Sequence, residues 1–214
     1  VGVGFLIFSA STELKTKASE DIELNGASSK VLHDGDNVTL LTWNVGYCGL
    51  DEEADFFMDG GSGVRVKSKA KVKENLQAIT EEIKTLDPDI VLLQEVDRSS
   101  SRTRKYNEVS AFRDEMGQDK FMSSYALNYK AGYVPYPLFN TLGKVESGIL
   151  SFSKYPTTSS TRIQLPIPFS WPLSMLNLKR CLLVNRLEIE GGTKELVVIN
   201  LHLEAYDDGE GKAK

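Results

Sequence analysis

The sequence is poor in cysteine, has no excess of positive charge, and contains no apolar run long enough to cross a bilayer. Cys48 and Cys181 are its only two cysteines. A framework of several disulfides is therefore excluded, and their apolar, strand-like surroundings predict buried free thiols. Lys and Arg number 25 against 30 Asp and Glu, a formal net charge of -5, and the isoelectric point is about 5.2. No global basic field draws the chain to polyanions. That argues against a dedicated nucleic-acid binder, though not against a nuclease with a local basic groove. The apolar start, VGVGFLIFSAS, falls short of the ~20 residues that span a bilayer. It reads equally as the trailing end of a signal or membrane segment, or as an edge strand or tail packed on a domain. The following stretch to Lys30 is polar and weakly patterned. Residues 1–30 are thus expected to be an N-terminal tail or anchor-proximal linker, ahead of a domain over 31–214. A membrane-anchored or extracytoplasmic location fits that reading, and the localisation is otherwise open. Asn37 opens an NVT sequon, by pattern alone. There is no internal repeat and no low-complexity block.

What is present is 41% hydrophobic residues in 214, enough for a sizeable core. VTLLTWNVG reads as a strand, and DEEADFFMDGGSG as a mobile Gly/Asp-rich loop. Val72, Leu76, Ile79, Ile83 and Leu86 recur at helical spacing, and the helix is expected to stop at Asp87 because Pro88 follows. DIVLLQEVD reads as a strand buried on both faces. A short helix around NEVSAFRDEMG leads into KFMSSYALNY. Further strands are expected in ESGILSFSKYP and RCLLVNRLEIE, with a tight turn at Gly191 into KELVVINLHLEA. The mixture predicts an α/β or α+β sandwich.

Alternation along a strand assigns residues to faces. Leu196, Val198, Asn200 and His202 share one face; so do Leu40, Thr42 and Asn44; so do Val91, Leu93 and Glu95. Each face starts apolar and ends in a group able to bind metal or phosphate. A buried polar group without a partner costs about 1–3 kcal/mol, so three at matching strand ends point to one shared polar site. The other histidine, His33, precedes the first core strand and reads as an ordinary surface residue.

LLTWNVGYCG, DPDIVLLQEVD, SGILSFSKYP and LVVINLHLEA, in this order over Thr39–Ala205, resemble successive motifs of the endonuclease/exonuclease/phosphatase superfamily. The NLHLEA form resembles its sphingomyelinase-like branch. The resemblance implies a DNase I-like four-layer α/β/β/α sandwich with a Mg²⁺-dependent phosphoesterase site, Mn²⁺ being an alternative ion. It implies metal-site positions at Asn44 and Glu95, and a phosphate-contacting, catalytic role for His202 beside Asn44. Arg180, at the entry to a strand where related nucleases carry a phosphate-contacting Arg next to Lys179, and Asn200, on the His202 face, are assigned to the substrate.

The family pattern continues with GDxN and SDH-type segments that this sequence does not contain. The expectation is a C-terminally incomplete domain, inactive alone, whose exposed sheet edges an intermolecular contact covers. AGYVPYPLFNTLGKVESG and IPFSWPLSMLNL are rich in aromatic and apolar residues, which favours a phospholipid or small phosphodiester as substrate and membrane proximity through the N-terminus. A nucleic acid is the less favoured substrate, and a non-catalytic scaffold with the same fold is the alternative from another class.

Overall fold

The computed structural model describes residues 2–52, 54–57 and 60–203. A helix, α1 (Gly2–Thr12), leads to two short strands, β1 (Ser19–Asp21) and β2 (Leu24–Asn25), and then to β3 (Leu40–Asn44). Helices and a strand alternate next: α2 (Lys69–Leu86), β4 (Ile90–Asp97), α3 (Glu108–Met116). The remainder is strand: β5 (Met122–Val134), β6 (Gly143–Ser153), β7 (Thr157–Gln164), β8 (Cys181–Glu188) and β9 (Glu195–Leu201).

The α2 stripe forms as its periodicity predicts. Ser68 caps it, its hydroxyl accepting from the Lys71 amide. Val72, Leu76 and Ile83 are buried against Phe112 and Met116 of α3 and Val91, Leu93 and Leu150 beneath. Asp87 ends the helix in the left-handed conformation, φ 48, because Pro88 bars the helical region. Leu86 falls off the stripe and is exposed, while Thr80 is buried and satisfied by the Leu76 carbonyl at 3.0 Å.

The strands form two sheets, a four-stranded one in the order β1-β7-β8-β9 and a five-stranded one in the order β2-β5-β6-β4-β3. Every pairing is antiparallel except β3 beside β4, the pair joined through a helix. β4 is buried on both faces, as its unbroken apolar run requires: Val91 and Leu93 meet the helices, Ile90 and Leu92 the other sheet. The result is the expected α/β fold with two stacked sheets. Among the described residues no helix covers the outer face of the four-stranded sheet, where Val197 and Ile199 stay partly exposed. The four-stranded sheet ends at β9, over β4 and β6, so Leu40 and Thr42 of β3, expected on a core-like face, look past its edge and are exposed.

Within the stretch read as a tail or linker, residues 19–25 pair with both sheets. β1 extends the four-stranded sheet along β7, β2 the five-stranded one along β5. α1 packs on β5, where the Gly132 amide donates to the Thr12 hydroxyl at 3.2 Å.

Between the sheets lies a polar tie. The Asn200 carboxamide donates to the Leu93 and Leu150 carbonyls, both at 3.1 Å, and accepts from Gln94 at 2.8 Å. It is 1% exposed, so it holds β9 onto β4 and β6 rather than facing a substrate. A second tie joins Ser124 to Asn185 at 2.7 Å. Asn200→Ala removes the bonds that tie the Gln94 amide and two carbonyls across a dry interface. It should lower unfolding free energy by ~2–4 kcal/mol, measured by urea denaturation, with the far-ultraviolet circular dichroism unchanged.

Candidate active site

β3 and β4 lie in a register that pairs Asn44 with Gln94. Strict alternation would therefore put Asn44 on the face of Gln94 and Glu95 on the opposite one. What unites them is a bulge. The pairing of β4 with β6 shifts between Leu93 and Val96, and Glu95 adopts a left-handed φ of 57. A non-glycine residue in that region bears strain of about 1–3 kcal/mol, and bulges re-aim side chains at such edges. The turn swings the carboxylate to the strand end. There Asn44 Nδ2 donates to Glu95 Oε1 at 3.0 Å, and His202 Nε2 stands 3.7 Å from the same oxygen. The Gly46 amide fixes the Asn44 carboxamide by donating to its Oδ1 at 3.0 Å. The chain leaves Asn44 through three successive left-handed residues, Gly46, Tyr47 and Cys48, with φ of 50, 47 and 47.

Beneath this surface lies a buried charge network. Arg102 donates to both Asp97 oxygens, at 3.0 and 2.9 Å, and its guanidinium stacks 3.9 Å from the Tyr47 ring centroid. Thr103 also donates to Asp97, and the Asp97 amide donates to Glu108 at 2.7 Å. Burial works against the Arg102 charge, yet Asp97, and Glu95 beyond it, raise its pKa above the ordinary value. Burial first, and the Asp97 charge second, push the Glu108 carboxyl well above the ordinary range. The field of Glu95 also reaches Arg102 and Glu108.

Asn44, Glu95 and His202 are thus brought together from three strand ends. Arg180 stands beside them in a different job: its Nη1 donates to the His202 carbonyl at 2.8 Å, which pins the backbone that carries the imidazole. Lys179 is buried against Glu13 and the Leu14 carbonyl. Asn200 lies behind the site, inside the sheet interface. His33 is a surface residue whose Nδ1 stands 3.2 Å from Glu190. Both cysteines are free and buried; burial pushes the Cys181 thiol up to about 11 and Cys48 well above its ordinary value. Sequence reasoning missed Asp97, Arg102 and Glu108. Asp97 carried a signal, an acidic residue two places after Glu95, whereas Arg102 and Glu108 come from a turn and a helix that only folding brings beneath it.

Among the described residues no group of three or more His, Cys, Asp or Glu is placed to hold a metal ion. The donors at this edge are one carboxylate, Glu95, with its side chain 28% exposed, and the Asn44 carboxamide. Such a set suits a hard cation that keeps most of its water. Chemically, the edge offers an anionic oxygen, a fixed amide and an imidazole converging on open solvent.

The sequence model of the Endonuclease/Exonuclease/phosphatase family matches residues 41–187. No curated protein sequence matches the chain. Among solved structures, the fold resembles an endonuclease/exonuclease/phosphatase from Beutenbergia cavernae at 19% identity and TM-score 0.50, over 78% of this chain and 38% of that one. It resembles the human Nocturnin catalytic domain with bound sulfate anion at 16% identity and TM-score 0.50, over 88% and 55%. It resembles ANGEL2, a 2',3'-cyclic phosphatase, at 16% identity and TM-score 0.52, over 86% and 44%. The chain therefore spans between 38% and 55% of the length of these structures.

A raised Glu108 pKa means that the folded chain binds this proton more tightly than the unfolded chain does. The resulting stability is full in acid. It is lost as pH rises from the ordinary carboxylate range through the raised folded value. Glu108→Gln removes that titration, so unfolding free energy should vary less with pH, and in mildly alkaline buffer it should equal or exceed the parent's. Urea denaturation across a pH series measures it; a loss above ~2 kcal/mol at alkaline pH would show that the ionised carboxylate is needed.

Proposed function

The chain belongs to the endonuclease/exonuclease/phosphatase family, and from that premise we propose that it forms part of a metal-dependent phosphoester hydrolase centred on Asn44, Glu95 and His202. The observation that carries this reading is their convergence on one sheet edge, with Glu95 Oε1 shared between Asn44 at 3.0 Å and His202 at 3.7 Å. A carboxylate, an amide and an imidazole brought from three strand ends to one open edge are suited to a shared polar ligand or to chemistry upon it.

Glu95 and Asn44 would hold Mg²⁺, or Mn²⁺ in its place. When bound, such an ion neutralises phosphate charge and acidifies a water. The protein's own part follows from the geometry. Asn44, locked by the Gly46 amide, presents its carboxamide in a fixed direction. His202, its carbonyl held by Arg180, offers Nε2 to a phosphoryl oxygen and can pass a proton to the departing group. The Asp97–Arg102 pair lies beneath the site and holds β4 in its bulged course.

The favoured substrate is a phosphodiester of a phospholipid or another small molecule, as in the sphingomyelinase-like branch that the NLHLEA form resembles. Several basic groups at this edge are paired with carboxylates of the protein: Arg98 and Lys144 with Glu146, Arg102 with Asp97, Lys179 with Glu13. A nucleic-acid backbone needs a track of cations open to solvent, whereas this rim is largely apolar.

Glu95→Gln keeps the size and one oxygen but removes the carboxylate. Mn²⁺ affinity, read by electron paramagnetic resonance, should fall at least roughly tenfold, while His202→Ala leaves it unchanged. Equal Mn²⁺ binding by the parent and Glu95→Gln would remove Glu95 from the metal site. EDTA-sensitive turnover of a choline- or inositol-type phosphodiester lipid should exceed plasmid nicking; nicking without lipid turnover reverses the substrate assignment.

A further inference from the structure

Strand directions place more than the site at one edge. β3, β4 and β5 run the same way in the five-stranded sheet, as do β7 and β9 in the other. The Asn200 tie sets the end of β9 over the end of β4. The C-terminal ends of all five strands therefore share an edge with the loops 135–142 and 165–180. α1 sits there as well. Phe8 and Thr12 lie against Gly132, near the end of β5, where an added Cβ would come within 2.9 Å of the Phe8 ring and 2.4 Å of the Thr12 hydroxyl. Leu14 donates to the Lys130 carbonyl at 3.1 Å.

This edge is where apolar surface is least covered. Phe139 is 105% exposed, Leu138 74%, Val3 72%, Trp171 67%, Ile7 65% and Leu173 59%, beside Tyr136 at 62%. No other large apolar side chain among the described residues exceeds 56%, the value at Leu86 and Leu203. Phe139 takes a left-handed φ of 72 at its loop tip, so the backbone is bent to show that ring to solvent. The two loops are anchored to the fold: Tyr129 bonds the Leu176 carbonyl at 2.8 Å, Tyr133 bonds Thr141 at 3.0 Å, and Tyr136 packs on Phe57. α1 carries no charged residue. Where it ends, Glu13 is neutralised by Lys179, and Lys15 and Lys17 are exposed with no carboxylate partner among the described residues.

We propose that α1 and the tips of the two loops dock this edge onto an anionic lipid bilayer. Protruding aliphatic and aromatic tips with Trp and Tyr rings suit the boundary between headgroups and acyl chains. The unpaired Lys15 and Lys17 complement an anionic headgroup layer, each worth roughly fivefold in affinity. Docking in this orientation turns the Asn44–Glu95–His202 edge toward the lipid. The binding is independent of the catalytic reading, since it requires neither metal nor turnover.

Flotation of the 214-residue chain tests this, with phosphatidylcholine vesicles and with vesicles that also contain phosphatidylglycerol, both in EDTA. The chain should float with the anionic vesicles and be released by salt. Leu138→Ser with Phe139→Ser should cut binding at least about tenfold. Lys15→Glu with Lys17→Glu should abolish the preference for anionic vesicles, with melting curves unchanged in both double variants. Vesicles should also blue-shift the fluorescence of Trp171, an effect absent in Trp171→Phe. Failure to float with either vesicle, or equal flotation of parent and both double variants, overturns the proposal. So does a concentration-dependent dimer that Phe139→Ser disrupts in the absence of vesicle binding, which assigns the surface to a second copy of the chain.

Discussion

Between Leu93 and Val96 the pairing of β4 slips, and Glu95 absorbs the slip with φ 57. Everything chemical at this edge depends on that bulge. Without it the register of β3 against β4 would leave Asn44 facing the second sheet and Glu95 facing the helices. With it, a carboxylate leaves the plane of the sheet and meets an amide from β3 and an imidazole just past β9. The strain is tolerable because the strand on either side is overdetermined: Leu93 and Val96 are both completely buried, so neither end of the bulge can relax without opening the core.

The bulge also has a foundation. Asp97, the next inward carboxylate after it, is fully buried and held by two bonds from Arg102. A buried ion pair is a weak source of net stability, since desolvation opposes the attraction, but removal of either partner would leave an unpaired charge. The pair therefore specifies geometry more than it adds stability. Glu108 completes the arrangement by accepting from the Asp97 amide, and thereby couples α3 to the end of β4. Above, Asn200 joins β9 to β4 and β6, so that His202, two residues later, arrives at a fixed height over Glu95.

The same strand directions that gather the polar groups gather the apolar loops. Sheets built from alternating directions put every second connection on one edge, and here the long connections 135–142 and 165–180 both fall on the edge of the site. The short ones, 154–156 and 189–194, fall on the far edge beside the longer stretch 26–39. The site edge carries a polar centre ringed by exposed rings and aliphatic side chains.

The sequence by itself determined much of this protein. The 3.6-residue period predicted α2, proline at 88 predicted its stop, and the unbroken apolar run of β4 predicted burial on both faces, because each signal is local and survives whatever the rest of the chain does. Alternation in the last strand put Val198 and Asn200 on the inner face, where both are buried, and the motif order carried the fold class. Tertiary structure decided what depends on neighbours. Polar β7, TTSSTRIQ, is a strand because its partners provide the pairing, and residues 19–25 become edge strands only because β7 and β5 are there to pair with. Asn200 and Arg180 looked like ligands in the sequence, and folding gave both polar groups partners within the protein. The Asn44–Glu95 pair was read from alternation, yet it exists through a break in alternation. A bulge is set by competing pairings with β3 and β6, on which the residues of β4 alone have no hold.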